Sequence, residues 1–397
     1  MPASTTFADF QKTAARLRRE QTRIVQTLAK REKEFFAKRG VLGFGVGRRK
    51  DRPIVRFFVT KKLSLTKLSK QDRLPKAILV KGRKFATEVI AIGAPPTLAV
   101  TILGDPTDNQ KNFRNNGTGT WPMGTEIRIF DPGTAGPSLS TGTSGCLVRD
   151  PNGGGPWMMS CAHVLLAAGK DVVQRAQNRD APNPGGGPPP KLRNFVGSVL
   201  RISDNPARAD AGLVECAGAS PLILNIGRPK APQMDCIYDG IWVQKSGRST
   251  GVTTARVREA GVTLELKNPL VPADAPGSTV RVRGLFTIQN TCFQNPAAPA
   301  SPTAPLPAGA AGKFCFAGDS GALIMLGKTD KPGTFGRVSE GLQKAYDHAD
   351  QANRLRIIDT YDKAALGLLV AGGPDLGIGQ ELSAAFRALG PLELVTS

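Results

Sequence analysis

The chain has 397 residues, 40% of them hydrophobic and only 6% aromatic, with 45 glycines, 31 prolines and a formal net charge of +21. That length supports two or three domains with sizeable cores, and glycine and proline at this density point to many turns joining short strands. No run of about 18 apolar residues appears, which excludes a helical membrane span, and the N-terminus lacks the apolar stretch of a signal peptide, so a soluble, cytoplasmic chain is expected.

The charge is uneven. Residues 1–100 hold 24 Lys and Arg against 7 Asp and Glu, a balance of +17, whereas residues 101–397 hold 29 against 25, or +4. Residues 1–39 read as a basic helix, with Leu17, Ile24, Leu28 and Phe35 on one face. Such a block attracts nucleic acid, an acidic protein or an anionic surface, and a solvated basic helix accounts for it equally well. Residues 40–100 read as a small α/β domain: a Gly-x-Gly-x-Gly stretch at 43–47, the alternating Ile54–Val59, then strands at 77–80 and 86–92. The glycines lack the spacing, the following helix and the acid of a dinucleotide site. Residues 101–123, rich in Gly, Asn and Thr, read as a linker.

Beyond the linker the informative segments come in order. Gly142-Thr143-Ser144-Gly145 is a glycine-rich strand, and Ser160-Cys161-Ala162-His163 carries one of only two histidines. Ala209-Asp210-Ala211-Gly212 places an acid before an apolar stretch, and Gly318-Asp319-Ser320-Gly321 follows. A serine hydroxyl is a weak nucleophile until a base takes its proton, a task suited to an imidazole whose other nitrogen is fixed by a carboxylate. His163 is the candidate base, Asp210 its orienter and Ser320 the nucleophile. Asp171, Asp180, Asp204 and Asp235 also lie between His163 and Ser320, and Asp210 is preferred for its Ala-Asp-Ala-Gly-Leu context. Ser144 resembles a nucleophile locally but precedes the histidine. Ala322 occupies the position where an α/β-hydrolase elbow needs glycine.

With histidine, aspartate and serine in that order, residues 124–390 resemble the trypsin-like, chymotrypsin-fold serine peptidases. The resemblance implies a mainly β peptidase domain over 124–397, made of two six-stranded β-barrels and a C-terminal helix at 380–389. It places the first-barrel strands near 124–130, 143–149, 157–162, 171–176, 195–203 and 210–216, around an Asn183–Pro190 loop. The second barrel starts near Gly240, with Val243-Gln244-Lys245-Ser246-Gly247 and its turn, and runs through 279–289 and 366–373. The triad would sit at the seam of the barrels. The resemblance also implies an oxyanion hole from the backbone N–H groups of Gly318 and Ser320, and a substrate pocket bounded by Phe314, Gly372 and Gly373. Phe314 in place of an acid favours cleavage after a small or apolar residue, and the insertion at 294–312 precedes that loop. Ala371 stands where a serine often supports the aspartate. In secreted relatives a freed N-terminus pairs with the acid matching Asp319; here Asp319 needs another partner.

The segment 40–100, with Phe57-Phe58-Val59-Thr60-Lys61 and Leu74-Pro75, resembles the N-terminal part of an intracellular peptidase group related to the plant narrow-leaf protein. That implies a regulatory or assembly module, a regulatory protein partner and homo-oligomer formation. The cysteines at 146, 161, 216, 236, 292 and 315 lack the pairing of a disulfide scaffold and read as free thiols, and no metal or cofactor is expected. The expected activity is endopeptidase cleavage of a protein substrate through an acyl-enzyme. The other reading is a protease-fold scaffold with an idle triad, whose basic N-terminal region binds nucleic acid or an acidic partner.

Overall fold

In the computed structural model the described residues are 5–49, 52–98, 121–132, 138–174, 195–205, 208–216, 218–233, 237, 240–268, 278–291, 312–327, 340–373 and 375–396. The expected Asn183–Pro190 loop, residues 294–311 of the expected insertion, most of the linker, Asp180, Asp235, Cys236 and Cys292 lie outside them.

The basic N-terminal segment forms two helices instead of one, α1 (Phe7–Lys30) and α2 (Glu32–Phe36). Thr6 starts α1 with a capping box: its hydroxyl accepts from the Asp9 N–H at 3.2 Å while its own N–H donates to Asp9. At Arg31 the backbone leaves the helical region, at φ −106° and ψ 12°, and the chain turns. That turn sets Phe35 edge-on against Phe44 and Phe57, with centroids 5.7 and 4.9 Å away. Five strands follow: β1 (Val41–Arg49), β2 (Arg52–Val59), β3 (Ala77–Val80), β4 (Arg83–Ala91) and β5 (Thr97–Leu98).

The first barrel uses β6 (Trp121–Met123), β7 (Glu126–Phe130), β8 (Ser140–Thr143), β9 (Cys146–Arg149), β10 (Trp157–Ser160), the short α3 (Ala162–Leu165), β11 (Asp171–Gln174), β12 (Phe195–Ile202), β13 (Gly212–Glu215) and β14 (Ala219–Ile223). Its strand order is β9-β10-β13-β12-β11-β7-β8. β8 and β9 are halves of one run bent at Ser144-Gly145, so the chain itself closes the ring and six strands surround the core. Gly145 permits the bend, since a Cβ there would lie 2.5 Å from the Gly321 carbonyl oxygen and 2.6 Å from that of Met159. Within the expected linker, residues 121–123 are the strand β6, which pairs with β14.

The second barrel comprises β15 (Trp242–Gly247), β16 (Gly251–Lys267), β17 (Thr279–Gln289), β18 (Leu323–Leu326), β19 (Ala365–Gly372) and β20 (Leu376–Glu381). The order β15-β18-β19-β20-β17-β16 returns to β15, so six antiparallel strands close by hydrogen bonds alone. Helices α4 (Glu340–Asp347) and α5 (Gln351–Tyr361), which no sequence motif announces, precede β19. Helix α6 (Leu382–Leu389) and β21 (Glu393–Leu394), paired with β9, end the chain. The fold is thus mainly β with two six-stranded barrels, the architecture that the resemblance implies.

Residues 40–100 are not set apart from this body. β16 is 17 residues long and outruns the barrel; Ala260–Leu264 pairs with β1, and β2, β4 and β3 continue the same sheet. The glycines of β1 serve this junction, because a Cβ on Gly43 would lie 2.4 Å from the Thr263 carbonyl oxygen and one on Gly45 would lie 2.6 Å from Val262. α1 fastens the assembly along its length. Phe10, Ala14 and Leu17 enter the core shared with the second barrel, α4 and α5, while Ile24 and Leu28 enter the core under β1, β2 and β3.

Candidate active site

β10 ends at Ser160, and α3 then lifts His163 into the space between the barrels. His163 is 5% exposed, Asp210 and Ser320 2% each. His163 Nδ1 lies 2.5 Å from Asp210 Oδ2, and the backbone N–H of His163 donates to Asp210 Oδ1 at 3.0 Å. One carboxylate therefore fixes both the ring and the turn that carries it. Of the acids weighed from sequence, Asp210 is the one among the described residues brought to His163: Asp171 lies in β11 beside Ser198, and Asp204 is exposed. The Asp210 N–H donates to the Gln380 side chain at 2.8 Å, which ties the dyad of the first barrel to β20 of the second. His163 Nε2 is buried and makes no hydrogen bond among the described residues.

The Ser320 loop packs against this strand end. The Thr143 N–H donates to the Ser320 carbonyl at 2.9 Å, and Gly321, at φ +95°, leaves no room for a Cβ, which would lie 2.2 Å from Ser160 Oγ. Gly318 also sits at φ +95°, with its carbonyl held by Thr143 Oγ1 at 2.9 Å. The Ala317 carbonyl accepts from Ser249 Oγ and the Asp319 carbonyl from the Ala322 N–H. In a planar trans peptide the N–H points opposite to the C=O. The N–H groups of Gly318 and Ser320 are therefore turned away from Ser249 and Ala322.

Asp319 has found its partner inside the chain. Lys245 Nζ donates to its Oδ2 at 3.0 Å, with both side chains fully buried. Thr250 Oγ1 at 2.7 Å and the N–H groups of Ser249 (2.7 Å), Thr250 (3.2 Å) and Phe316 (3.0 Å) complete the shell. A buried carboxylate is tolerated only when paired and fully hydrogen-bonded, and here β15 and its turn supply every partner but the Phe316 N–H. This strand and turn stand out in the sequence, yet no motif gives Lys245 a role, and its neighbours Gln244 and Ser246 give a lysine there no prominence in the sequence.

Ser144, the rival nucleophile, is buried, with its Oγ accepting from the Thr125 N–H at 3.0 Å. Ala371 makes no polar side-chain contact; Cys161 lies against Asp210 instead. Burial first, and then the Asp210 charge, push the Cys161 thiol well above its ordinary range, and its Sγ donates to the Leu369 carbonyl at 3.2 Å. The ligand atoms of Cys161, His163 and Asp210 cluster within 4.8 Å, with His163 Nδ1 on Asp210 and Cys161 Sγ on the Leu369 carbonyl. Cys146, Cys161 and Cys315 are buried free thiols, and Cys216 is partly buried.

Phe314 is fully buried in the second core, its carbonyl accepting from Thr253 Oγ1 at 2.7 Å. Asn290, which nothing in the sequence singles out, joins this segment to Gly373: its Oδ1 accepts from the Cys315 N–H at 2.9 Å and its Nδ2 donates to the Gly373 carbonyl at 2.8 Å. A Cβ on Gly372 would lie 3.1 Å from Cys315 Sγ. The segments carrying Phe314, Gly372 and Gly373 are thus adjacent. His348 is exposed at the end of α4, with Nδ1 on the Lys344 carbonyl.

No protein-family model matches the chain, and no curated protein does. Among solved structures the chain is similar to Cellulomonas bogoriensis chymotrypsin (16% identity, TM-score 0.38) and to Thermobifida fusca protease A (15%, 0.38). It is also similar to the Nocardiopsis protease NAPase (14%, 0.37). Each likeness covers 70% of this chain and 100% of the other. Scores of this size are too low to carry an inference about activity. The barrels and the buried His163–Asp210 pair define the class: a two-barrel protein with a histidine–carboxylate dyad and a glycine-bounded serine loop packed on the strand end that precedes the histidine.

Proposed function

We propose that the chain is an intracellular serine endopeptidase using Ser320 as nucleophile, His163 as general base and acid, and Asp210 as orienter. The observation that carries this reading is the His163–Asp210 contact, which leaves Nε2 as the nitrogen for the serine proton. Ser320 Oγ attacks the peptide carbonyl while His163 takes its proton, the N–H groups of Gly318 and Ser320 hold the oxyanion, and His163 returns the proton to the leaving amine. Water then hydrolyses the acyl-enzyme. Phe314, Gly372 and Gly373 bound the specificity pocket in this reading, and its preference is a small or apolar residue before the scissile bond. Control by a partner or by assembly is part of the proposal, with residues 1–100 as the regulatory module of a narrow-leaf-related peptidase. Arg18 on α1 pairs with Glu381 at 2.9 Å, next to the Gln380 that holds Asp210, and gives that module a physical route to the dyad.

The test is cleavage of a proteome-derived peptide library, with new termini read by mass spectrometry. Wild type is expected to generate termini that Ser320→Ala does not, enriched for small or apolar residues before the cut. The same termini from both proteins would sink the proposal.

A further inference from the structure

A cleft lies between α1, alongside its buried face, and the neighbouring ends of β1, β2 and β4. Arg16, Arg19, Glu20 and Arg23 stand at spacings of three, four and seven, one stripe along the helix. Opposite them are Arg48 at the end of β1, Arg52 at the start of β2 and Arg83 at the start of β4. These residues, with Leu17 and Pro53, line a cleft of about 540 Å³, within the ~300–1,000 Å³ range of small-molecule sites. Six arginines therefore face one space. Glu20 is the one acid among the lining residues, and it is already paired with Arg83 at 2.8 Å. Arg16, Arg23 and Arg52 have no acid within ion-pair distance among the described residues.

We propose that this cleft binds a small phosphate-rich anion, a run of linked phosphates of nucleotide size. The site is independent of the peptidase reading. Like charges this close repel, and the arrangement persists because burial of Leu17, Ile24 and Leu28 clamps α1 to the sheet from below. A guanidinium is a rigid planar fork that meets two phosphate oxygens at once, and arginines on two facing walls can grip successive phosphates from both sides. A triphosphate carries roughly the charge density that six guanidiniums and one carboxylate require, which isolated carboxylates do not. The lining holds no aromatic side chain on which a base could stack, and this argues against a groove that tracks single-stranded nucleic acid.

The experiment is titration calorimetry of the full chain with inorganic tripolyphosphate, then with ATP, and finally with oligothymidylates of increasing length. Wild type is expected to bind tripolyphosphate at one site. Arg19→Ala/Arg23→Ala should weaken it by about a hundredfold or more, since each lost charge-assisted hydrogen bond costs about tenfold or more. Both arginines are exposed, so the fold should survive. Lys61→Ala/Lys62→Ala removes the same charge from exposed positions outside the cleft and should leave binding unchanged. ATP binding as tightly as tripolyphosphate means that the phosphates alone are read; tighter binding means that the nucleoside adds contacts; both support the site. Three results would overturn it: no saturable heat, equal weakening by both double variants, or affinity for oligothymidylate that rises with length and exceeds that for tripolyphosphate.

Discussion

Asp210→Asn is expected to lower kcat by about ten-thousand-fold while leaving the fold intact, the loss seen when a triad aspartate becomes its amide. The geometry explains the size of the effect. Asp210 uses Oδ1 for the backbone N–H of His163 at 3.0 Å and Oδ2 for Nδ1 at 2.5 Å. An asparagine that keeps its oxygen on the backbone N–H must turn its NH₂ toward Nδ1. The ring then accepts at Nδ1 and carries its proton on Nε2, where it can no longer take one from Ser320. Steady-state kinetics on a cleaved peptide check this, with Asp204→Asn as the exposed control. A comparable loss at Asp204, or a kcat for Asp210→Asn within tenfold of wild type, would remove Asp210 from the mechanism.

Lys245→Met is expected to cost about 3–5 kcal/mol, because it leaves the fully buried Asp319 carboxylate without its counter-charge. Asp319 holds the N–H groups of Ser249, Thr250 and Phe316 as well as Lys245, so its release unpicks the loop presenting Gly318 and Ser320. Activity should therefore fall along with stability. Lys245→Met/Asp319→Asn removes both charges and should regain much of the stability without regaining the activity. Urea denaturation of the two variants, compared at equal slope, reads the stability part. A cost below about 1 kcal/mol for the single change would put the pair among surface ion pairs and contradict its role as the built-in anchor of the serine loop.

The parts legible in the sequence were those whose chemistry is local. Gly318-Asp319-Ser320-Gly321 and Ser160-Cys161-Ala162-His163 carry their meaning in adjacent residues, and the Ala-Asp-Ala-Gly context singled out the acid that lies on His163. Their partners were not legible, because Lys245, Gln380 and Asn290 act across the barrel on residues 74, 170 and 25 positions away. The glycines of β1 looked like a weak nucleotide motif and are instead the contact surface for β16. That junction was hidden because β16 is interrupted by bulges and by Gly261 at φ +58°, so 251–267 does not read as one strand. α4 and α5 carry no motif. The docking of residues 1–100 onto the second barrel depends on contacts hundreds of positions apart, such as Arg18 with Glu381 and the Phe7 N–H with Asn353.

The most direct measurement is labelling of the purified full chain with a fluorophosphonate probe, with the modified residue located by mass spectrometry. The expected result is a single adduct on Ser320 in wild type and none in Ser320→Ala or His163→Ala. A folded wild-type protein that takes no label, or a Ser320→Ala protein that still does, would contradict the assignment of Ser320 as the activated nucleophile.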